Sequence, residues 1–138
     1  MIFRGWQKVS YIEYPGKIAT VLFTGGCNFR CPYCHNPELV FLKGSLPQIH
    51  ESIVLEFLLR RKGMVDAVCI TGGEPLIHTP DLFPFLEQVK QKGFLIKIDT
   101  NGSLFQPFKQ IFQAGLADLW GIDYKLPFSL YKKVLGEK

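Results

Sequence analysis

Short apolar runs alternate with amphipathic stretches along most of this 138-residue chain. Residues 18–24 are apolar at nearly every position, which is typical of a strand covered on both faces of a parallel sheet. Residues 49–62 carry apolar side chains at four-residue spacing and three basic residues just before Gly63. That pattern predicts a helix that ends at the glycine.

Further units continue the alternation. The predicted elements are a strand at 66–71 with a helix from 80 or 81 to 92, a strand at 94–99 with a helix at 107–114, and a strand at 118–123 with a last helix starting near Pro127. Pro84 would break a helix interior, so we expect the second helix to begin late enough to keep Pro84 within its first turn.

This alternation of strands and helices predicts an α/β fold with a parallel sheet built through right-handed crossovers. About four βα units fit the chain, whereas a full TIM barrel has eight units and typically about 250 residues. We therefore predict a single domain over residues 1–138 that forms a partial (β/α) TIM-type barrel. Its fourth strand is expected to present an open edge and uncovered apolar surface.

Composition narrows the class of protein without identifying it. Hydrophobic residues make up 47% of the chain and include 12 Phe, so one sizeable core is expected. No apolar run reaches the roughly 18 residues of a membrane span, and the N-terminus lacks the basic-then-apolar design of a signal peptide. A net charge of +4 without a Lys/Arg block gives little support to nucleic-acid binding. These features predict a cytoplasmic protein.

The most informative motif contains three of the four cysteines. Cys27, Cys31 and Cys34 have CxxxCxxC spacing, which allows three thiolates to hold three irons of a [4Fe–4S] cluster. The fourth iron would stay open and could bind a substrate. The remaining cysteine, Cys69, lies in an apolar run and is expected to be a buried strand residue.

Two other interpretations of the cysteines remain open. A secreted disulfide scaffold would normally have more cysteines and a signal peptide. A structural zinc site usually uses two ligand pairs, and only His35 lies close enough to complete a tetrahedral set. We interpret His35 instead as a loop residue that shapes the surroundings of the cluster.

Polar motifs follow the predicted strands. After the second strand, Gly72 and Gly73 would let the backbone approach a ligand, and the Glu74 carboxylate could accept hydrogen bonds from a ligand ammonium. An ordinary β-to-α turn made of small residues would look the same. All such motifs fall at carboxyl ends of strands, where the active sites of these barrels gather, so we expect one shared pocket.

Oxygen-bearing side chains close the last two strands. Asp99 and Thr100 end the third strand, while Asp123 and Lys125 lie two positions apart and so point to one side of an extended chain. A lysine there can neutralise a carboxylate. A surface salt bridge and a helix N-cap are the alternatives at these positions.

Together these motifs resemble the radical S-adenosylmethionine (SAM) enzymes, because CxxxCxxC follows one strand and Gly72-Gly73-Glu74-Pro75 follows another. The resemblance narrows to activating proteins of glycyl-radical enzymes, above all those of anaerobic ribonucleoside-triphosphate reductase. It extends from about residue 5 to residue 125, and it is carried by the segments 10–17, 34–37, 99–102 and 123–125.

The resemblance implies two cofactors, a [4Fe–4S] cluster on Cys27, Cys31 and Cys34 and a bound SAM molecule. The residues implied as cofactor-binding are Tyr33, Asn36, Gly72, Gly73, Glu74, Asp99, Thr100, Asp123 and Lys125. In this family the glycine loop holds the methionine amino group, and Asp123 with Lys125 helps bind the methionine end. Asp99 and Thr100 bind a monovalent cation or order the site. Tyr33 approaches the adenine or shields the cluster.

The implied reaction is reductive cleavage of SAM to methionine and a 5′-deoxyadenosyl radical, which removes a hydrogen from a backbone glycine of a partner enzyme. No catalytic side chain is assigned. The expected partners are anaerobic ribonucleotide reductase and an electron donor such as flavodoxin or ferredoxin, with no nucleic acid and no membrane.

Other readings of the same motifs stay open. One alternative is a radical SAM enzyme that acts on a small molecule, similar to a deazaguanine synthase, and another is a non-catalytic iron–sulfur half-barrel. The chain is shorter than the six-unit barrels of this superfamily. That shortness predicts either a truncated form or a homodimer that closes one sheet.

Overall fold

The computed structural model describes residues 1–133, whose strands and helices alternate along the chain. The strands are β1 (Ile2–Phe3), β2 (Gly5–Ser10), β3 (Ala19–Thr24), β4 (Ile49–His50), β5 (Ala67–Gly72), β6 (Leu95–Thr100) and β7 (Leu119–Ile122). The α-helices are α1 (Pro37–Phe41), α2 (Glu51–Arg60), α3 (Thr79–Gln91) and α4 (Phe105–Gln113). Two 3-10 turns span Pro75–His78 and Phe128–Lys133.

Five strands form the central sheet in the order β2-β3-β5-β6-β7. The last four are parallel to one another, and β2 runs antiparallel to β3 at one edge. Thr24 is in register with Gly72, and Thr100 is in register with Ile122, so the carboxyl ends of the parallel strands meet at one edge of the sheet. This α/β architecture confirms the predicted partial barrel.

The four predicted strands correspond to β3, β5, β6 and β7 within a residue or two, and the three main predicted helices correspond to α2, α3 and α4. The elements β1, β2, β4 and α1 were not predicted. In β2 most side chains are exposed, and Trp6 supplies the apolar contact by packing edge-on against Phe57 at 4.9 Å between ring centroids. An edge strand of this kind lacks the alternating pattern by which strands are recognised.

The prediction that Pro84 lies in the first turn of its helix is wrong. The 3-10 turn Pro75–His78 leads directly into α3, which therefore starts at Thr79 and leaves Pro84 beyond the first turn. Because Pro84 has no backbone N–H, it cannot donate to the carbonyl one turn earlier. After Pro127, near which a last helix was predicted to begin, a 3-10 turn spans Phe128–Lys133. Residues 134–138 lie outside the described part of the chain.

The two faces of the sheet are covered differently. The side called here the helical face packs buried strand residues against α2, α3 and α4; it includes Leu22, Val68, Ile70, Ile96 and Ile98 from strands and Val54, Leu58, Leu82, Phe85, Leu86, Val89 and Ile111 from helices. The side called here the opposite face buries Ala19, Val21, Ala67 and Cys69, and the partly buried Tyr14, Phe23 and Leu95 pack against them.

Within the described residues, β7 is the last strand of the sheet and pairs only with β6. Its Trp120 packs against Phe108 at 4.6 Å between ring centroids, whereas Ile122 is 57% exposed. The open edge expected for the fourth predicted strand is therefore present. No helix within residues 1–133 combines the length and hydropathy needed to cross a membrane.

Candidate active site

A cavity of about 460 Å³ opens at the carboxyl ends of β3, β5, β6 and β7. This volume is in the range of small-molecule sites. Of the residues predicted from the sequence, those that line it are Cys27, Cys31, Tyr33, Cys34, Asn36, Gly72, Gly73, Asp99, Thr100, Asp123 and Lys125. The structure thus brings four loops to one cavity, while the binding role of each residue stays a prediction.

The loop after β3 carries the three cysteines, and none of them is in a disulfide. Cys34 donates its backbone N–H to the carbonyl of Cys31 at 3.1 Å, which closes a tight turn. The sulfur of Cys27 accepts from the backbone N–H of Phe29 at 3.3 Å and from Nδ2 of Asn101 at 3.8 Å. Burial nevertheless raises the pKa of the Cys27 thiol above its ordinary value. Donors aimed at a sulfur suit a thiolate that binds iron.

The spacing of the thiols can be tested against the two metal sites considered. Within residues 1–133, no three His, Cys, Asp or Glu side chains converge closely enough to hold one metal ion. A tetrahedral zinc ion requires such convergence, whereas a [4Fe–4S] cluster takes each thiolate on a different iron and needs the thiols spread apart. Cys27, Cys31 and Cys34 are all partly exposed and line the cavity, so their thiols are accessible to a cluster there. Cys69 is buried in β5, as predicted, and takes no part.

Two glycines allow the loop after β5 to touch the loop after β3. Gly72 has a φ of 111°, and a Cβ there would lie 2.5 Å from the backbone nitrogen of Thr24. At Gly73 a Cβ would lie 1.8 Å from the carbonyl oxygen of Gly26. That same oxygen accepts the backbone N–H of Glu74 at 2.8 Å. Only residues without a Cβ permit this backbone-to-backbone approach beside the cysteines.

Glu74 follows the two glycines but does not line the cavity. Its side chain is fully buried; Oε1 accepts from the backbone N–H of Leu76 at 3.0 Å and from Oγ1 of Thr100 at 2.7 Å. Its Oε2 accepts from the backbone N–H of Asn101 at 2.8 Å. Burial raises the pKa of Glu74, although these hydrogen bonds oppose the rise. The structure therefore places Glu74 as a bridge between two loops and not in contact with the cavity.

The last strand end holds an ion pair. Nζ of Lys125 donates to Oδ2 of Asp123 at 2.7 Å, and the hydroxyl of Tyr33 donates to the carbonyl of Lys125 at 3.3 Å. Burial alone would lower the pKa of Lys125, but the hydrogen bond and charge of Asp123 raise it above its ordinary value. Lys125 therefore lines the cavity with an ammonium that Asp123 holds in place. The backbone of Lys125 is hydrogen-bonded to Tyr33 of the cysteine loop.

A second ion pair, not predicted from the sequence, joins Asp99 to Lys97. Nζ of Lys97 lies 2.8 Å from Oδ1 and 3.1 Å from Oδ2 of Asp99, and 4.0 Å from a carboxylate oxygen of Glu13. The neighbouring strand makes room with Gly121, where a Cβ would lie 2.1 Å from Oδ1 of Asp99. Lys97 and Asp99 are two apart on β6 and so share a side of the strand, which is the signal that could have revealed the pair.

Several further residues line the cavity without having been assigned a binding role: Phe29, His35, Val40, Thr71, Asn101 and Tyr124. His35 has the place beside the cysteines that we expected. Asn101 belongs to the strand-end motif 99–102, yet nothing in its sequence position reveals a contact with a cysteine 74 residues away. Contacts of that kind depend on how the loops fold and not on spacing.

Residues 21–137 match the radical SAM superfamily. A protein of Methanocaldococcus jannaschii that is named as a putative glycyl-radical enzyme activating enzyme is 36% identical over 131 residues, covering 94% of this chain and 52% of that protein. The pyruvate formate-lyase-activating enzyme of Clostridium pasteurianum is 34% identical over 109 residues, covering 76% of this chain and 45% of that enzyme. The chain thus spans about half the length of the curated relatives it matches.

A solved structure is similar in fold to this chain. The crystal structure of QueE from Escherichia coli matches with a TM-score of 0.53 and 25% identity, covering 74% of this chain and 50% of that one. The superfamily match covers most of the chain and includes all three cysteines. It implies a [4Fe–4S] cluster and SAM as cofactors, which agrees with the thiols and the cavity described above. The chain therefore belongs to the radical SAM superfamily.

Proposed function

We propose that residues 1–138 form a single domain that cleaves SAM within an activating enzyme of a glycyl-radical enzyme. The observation that carries this proposal is the convergence of the cysteine loop, the glycine loop and two acidic strand ends on one cavity of about 460 Å³. The activating enzymes among its relatives support it. When bound, the cluster and SAM supply a one-electron reductive cleavage that yields methionine and a 5′-deoxyadenosyl radical.

The cavity residues bind and orient SAM in this proposal. Cys27, Cys31 and Cys34 would hold a [4Fe–4S] cluster beside the cavity, and that cluster would supply the electron for the cleavage. Carbonyls of the glycine loop accept hydrogen bonds from the amino group. Lys125, held by Asp123, donates to the carboxylate. Fixing both the amino and the carboxylate group of the methionine end would turn the reaction into a positioned, intramolecular event.

The other predicted residues complete the pocket. Tyr33 is 49% exposed beside Lys125, where its ring can cover the adenine. Asn36 adds an amide to the cavity wall. Asp99 and Thr100 order the floor or bind a monovalent cation, with Lys97 neutralising Asp99 from below. Glu74 contributes by holding Thr100 and the backbone of Asn101.

The target in this proposal is a backbone glycine of the partner enzyme, since a glycine Cα is uncrowded and its radical is stabilised by the flanking amides. We propose anaerobic ribonucleoside-triphosphate reductase as that partner, with flavodoxin or ferredoxin as the electron donor. A cytoplasmic location, where thiols stay reduced, suits the four free cysteines. Within residues 1–133 β7 pairs only with β6, and a second copy would close the sheet along its other edge.

SAM cleavage tests the first part of the proposal. The 138-residue chain is reconstituted without oxygen, reduced with dithionite and supplied with SAM alone, and 5′-deoxyadenosine is quantified by chromatography. We expect product from the wild type and from Cys69→Ala, which keeps the three cavity cysteines, and none from Cys31→Ala. An intact wild-type cluster without product would contradict the proposal and favour a half-barrel that carries electrons.

Partner choice is tested separately by mixing the reduced, SAM-loaded chain with anaerobic ribonucleotide reductase or with pyruvate formate-lyase. Electron paramagnetic resonance then detects a glycyl radical. We expect the radical on the reductase. A radical only on pyruvate formate-lyase would overturn the choice of partner, and a radical on neither would leave SAM cleavage without a glycine target.

A further inference from the structure

Three polar side chains join the cysteine loop to the loop after β6, and we call Asn28, Asn101 and Ser103 the amide clasp. Nδ2 of Asn101 donates to Oδ1 of Asn28 at 2.9 Å, and Nδ2 of Asn28 donates to Oγ of Ser103 at 2.8 Å. The backbone N–H of Ser103 donates to Oδ1 of Asn101 at 2.9 Å. These bonds close a ring that fixes the orientation of both amides.

Within this ring, Asn101 is held from two directions. Its residue is 7% exposed, and its backbone N–H donates to the buried carboxylate of Glu74 at 2.8 Å. Because Oδ1 of Asn101 accepts the N–H of Ser103, turning the amide over would set its NH₂ group against that donor. The NH₂ group therefore faces the cysteine loop.

The two hydrogens of the Asn101 NH₂ group face two hydrogen-bond acceptors. One is Oδ1 of Asn28 at 2.9 Å, and the other is the sulfur of Cys27 at 3.8 Å. A sulfur accepts at longer distances than an oxygen because its atomic radius is larger. The clasp thus presents an N–H to one of the three thiols that would hold the cluster.

We propose that Asn101 is a positioning residue that raises the reduction potential of the cluster by donating a hydrogen bond to the sulfur of Cys27. This inference rests on the proposed cluster but not on any reaction with SAM. The reduced cluster carries one more negative charge than the oxidised cluster, so a donor to its sulfur ligand stabilises the reduced form more. A cluster that is easier to reduce accepts the electron that SAM cleavage requires.

The test separates the hydrogen bond to sulfur from the mechanical role of the clasp. Asn101→Leu removes both amide donors at similar volume without adding charge and therefore carries the test. Asn101→Asp removes them while keeping an acceptor for Ser103, but its negative charge also lowers the potential. Ser103→Ala is the matched control, because it breaks the bond from Asn28 and leaves both donors of Asn101 in place. All are reconstituted without oxygen and titrated with a redox mediator set, without SAM or partner, while electron paramagnetic resonance follows the reduced cluster.

We expect the Asn101→Leu and Asn101→Asp clusters to titrate at more negative potentials than the wild type and the Ser103→Ala cluster to titrate with the wild type. Equal potentials in all four proteins would overturn the inference, as would an equal shift in Ser103→Ala. Loss of the cluster from both Asn101 variants with retained circular dichroism would also overturn it, in favour of a structural role. A wild type that assembles no cluster would instead count against the proposed function itself.

Discussion

The two faces of the central sheet carry different kinds of side chain along the same strands. On the helical face, Ile70 and Ile98 are fully buried against large side chains such as Phe85 of α3. On the opposite face the same strands carry Cys69 and the ion pair of Lys97 with Asp99. The helical face therefore supplies the apolar burial that stabilises the fold, while the opposite face carries polar groups up to the cavity.

The largest expected effect comes from the helical face. Phe85 is fully buried and packs edge-on against Phe3 at 5.2 Å between ring centroids. Phe85→Ala should lower the free energy of unfolding by about 3–5 kcal/mol, because it removes buried apolar surface and leaves a cavity. Urea denaturation followed by circular dichroism measures this difference.

Phe105 provides the matched control, since it is an aromatic residue at the start of α4 that is 63% exposed. Phe105→Ala should change the free energy of unfolding by no more than about 0.5 kcal/mol. Equal costs for the two substitutions would show that the helical face is not the main source of stability.

A smaller effect is expected on the opposite face. Lys97→Met leaves the carboxylate of Asp99 without the ammonium that contacts both of its oxygens. Breaking a fully buried pair costs about 3–5 kcal/mol, and because both side chains keep some exposure we expect about 1–2 kcal/mol in urea denaturation.

Two comparisons sharpen that result. Arg60→Met breaks the exposed pair of Arg60 with Glu56 on α2 and should cost no more than about 0.5 kcal/mol. Adding Asp99→Asn to Lys97→Met should recover part of the loss, because no unpaired charge remains. No recovery in the double variant would mean that Lys97 stabilises the fold through packing and not through Asp99.

The contrast between the faces explains how much of the fold could be predicted from the sequence. The continuous apolar runs in β3 and β5 come from burial on both faces of the sheet, and they located these strands. The four-residue spacing located α2, although the residues that this helix buries are Val54 and Leu58 and Ile53 is exposed. The strand β2 escaped prediction because most of its side chains are exposed. The start of α3 was predicted to within one or two residues. Pro84 was expected in its first turn, however, and the 3-10 turn that ends before Thr79 leaves Pro84 beyond that turn.

The candidate site, like the fold, could be predicted from the sequence only in part. Spacing located the cysteines and the strand ends, because the parallel topology brings carboxyl ends of strands to one edge. Sequence spacing could not predict that Asn101 contacts Cys27, or that Glu74 is buried away from the cavity. Both features depend on the paths of the loops after the strands. Close backbone contacts, such as that between Gly73 and Gly26, help to set those paths.

The smallest expected effect concerns Cys69 on the opposite face and appears only at high pH. Burial raises the pKa of the Cys69 thiol to about 12 from an ordinary value of 9.0, although nearby Lys97 lowers it. A pKa that is raised on folding adds stability that is complete below pH 9 and is lost as the pH rises toward 12. The unfolded chain gains at most about 1.4 kcal/mol per pH unit above 9 from this one thiol.

Urea denaturation of the wild type and of Cys69→Ala at pH 8, 9 and 10 measures this dependence, and the other three cysteines cancel because both proteins have them. At pH 8 the variant should be less stable by about 1 kcal/mol, since it loses the packing of a buried sulfur. That gap should close toward pH 10, because the wild type then keeps a neutral thiol that its unfolded chain ionises. A gap that stays constant from pH 8 to 10 would mean that the folded chain ionises Cys69 as easily as the unfolded chain does, and that the opposite face admits water where the helical face excludes it.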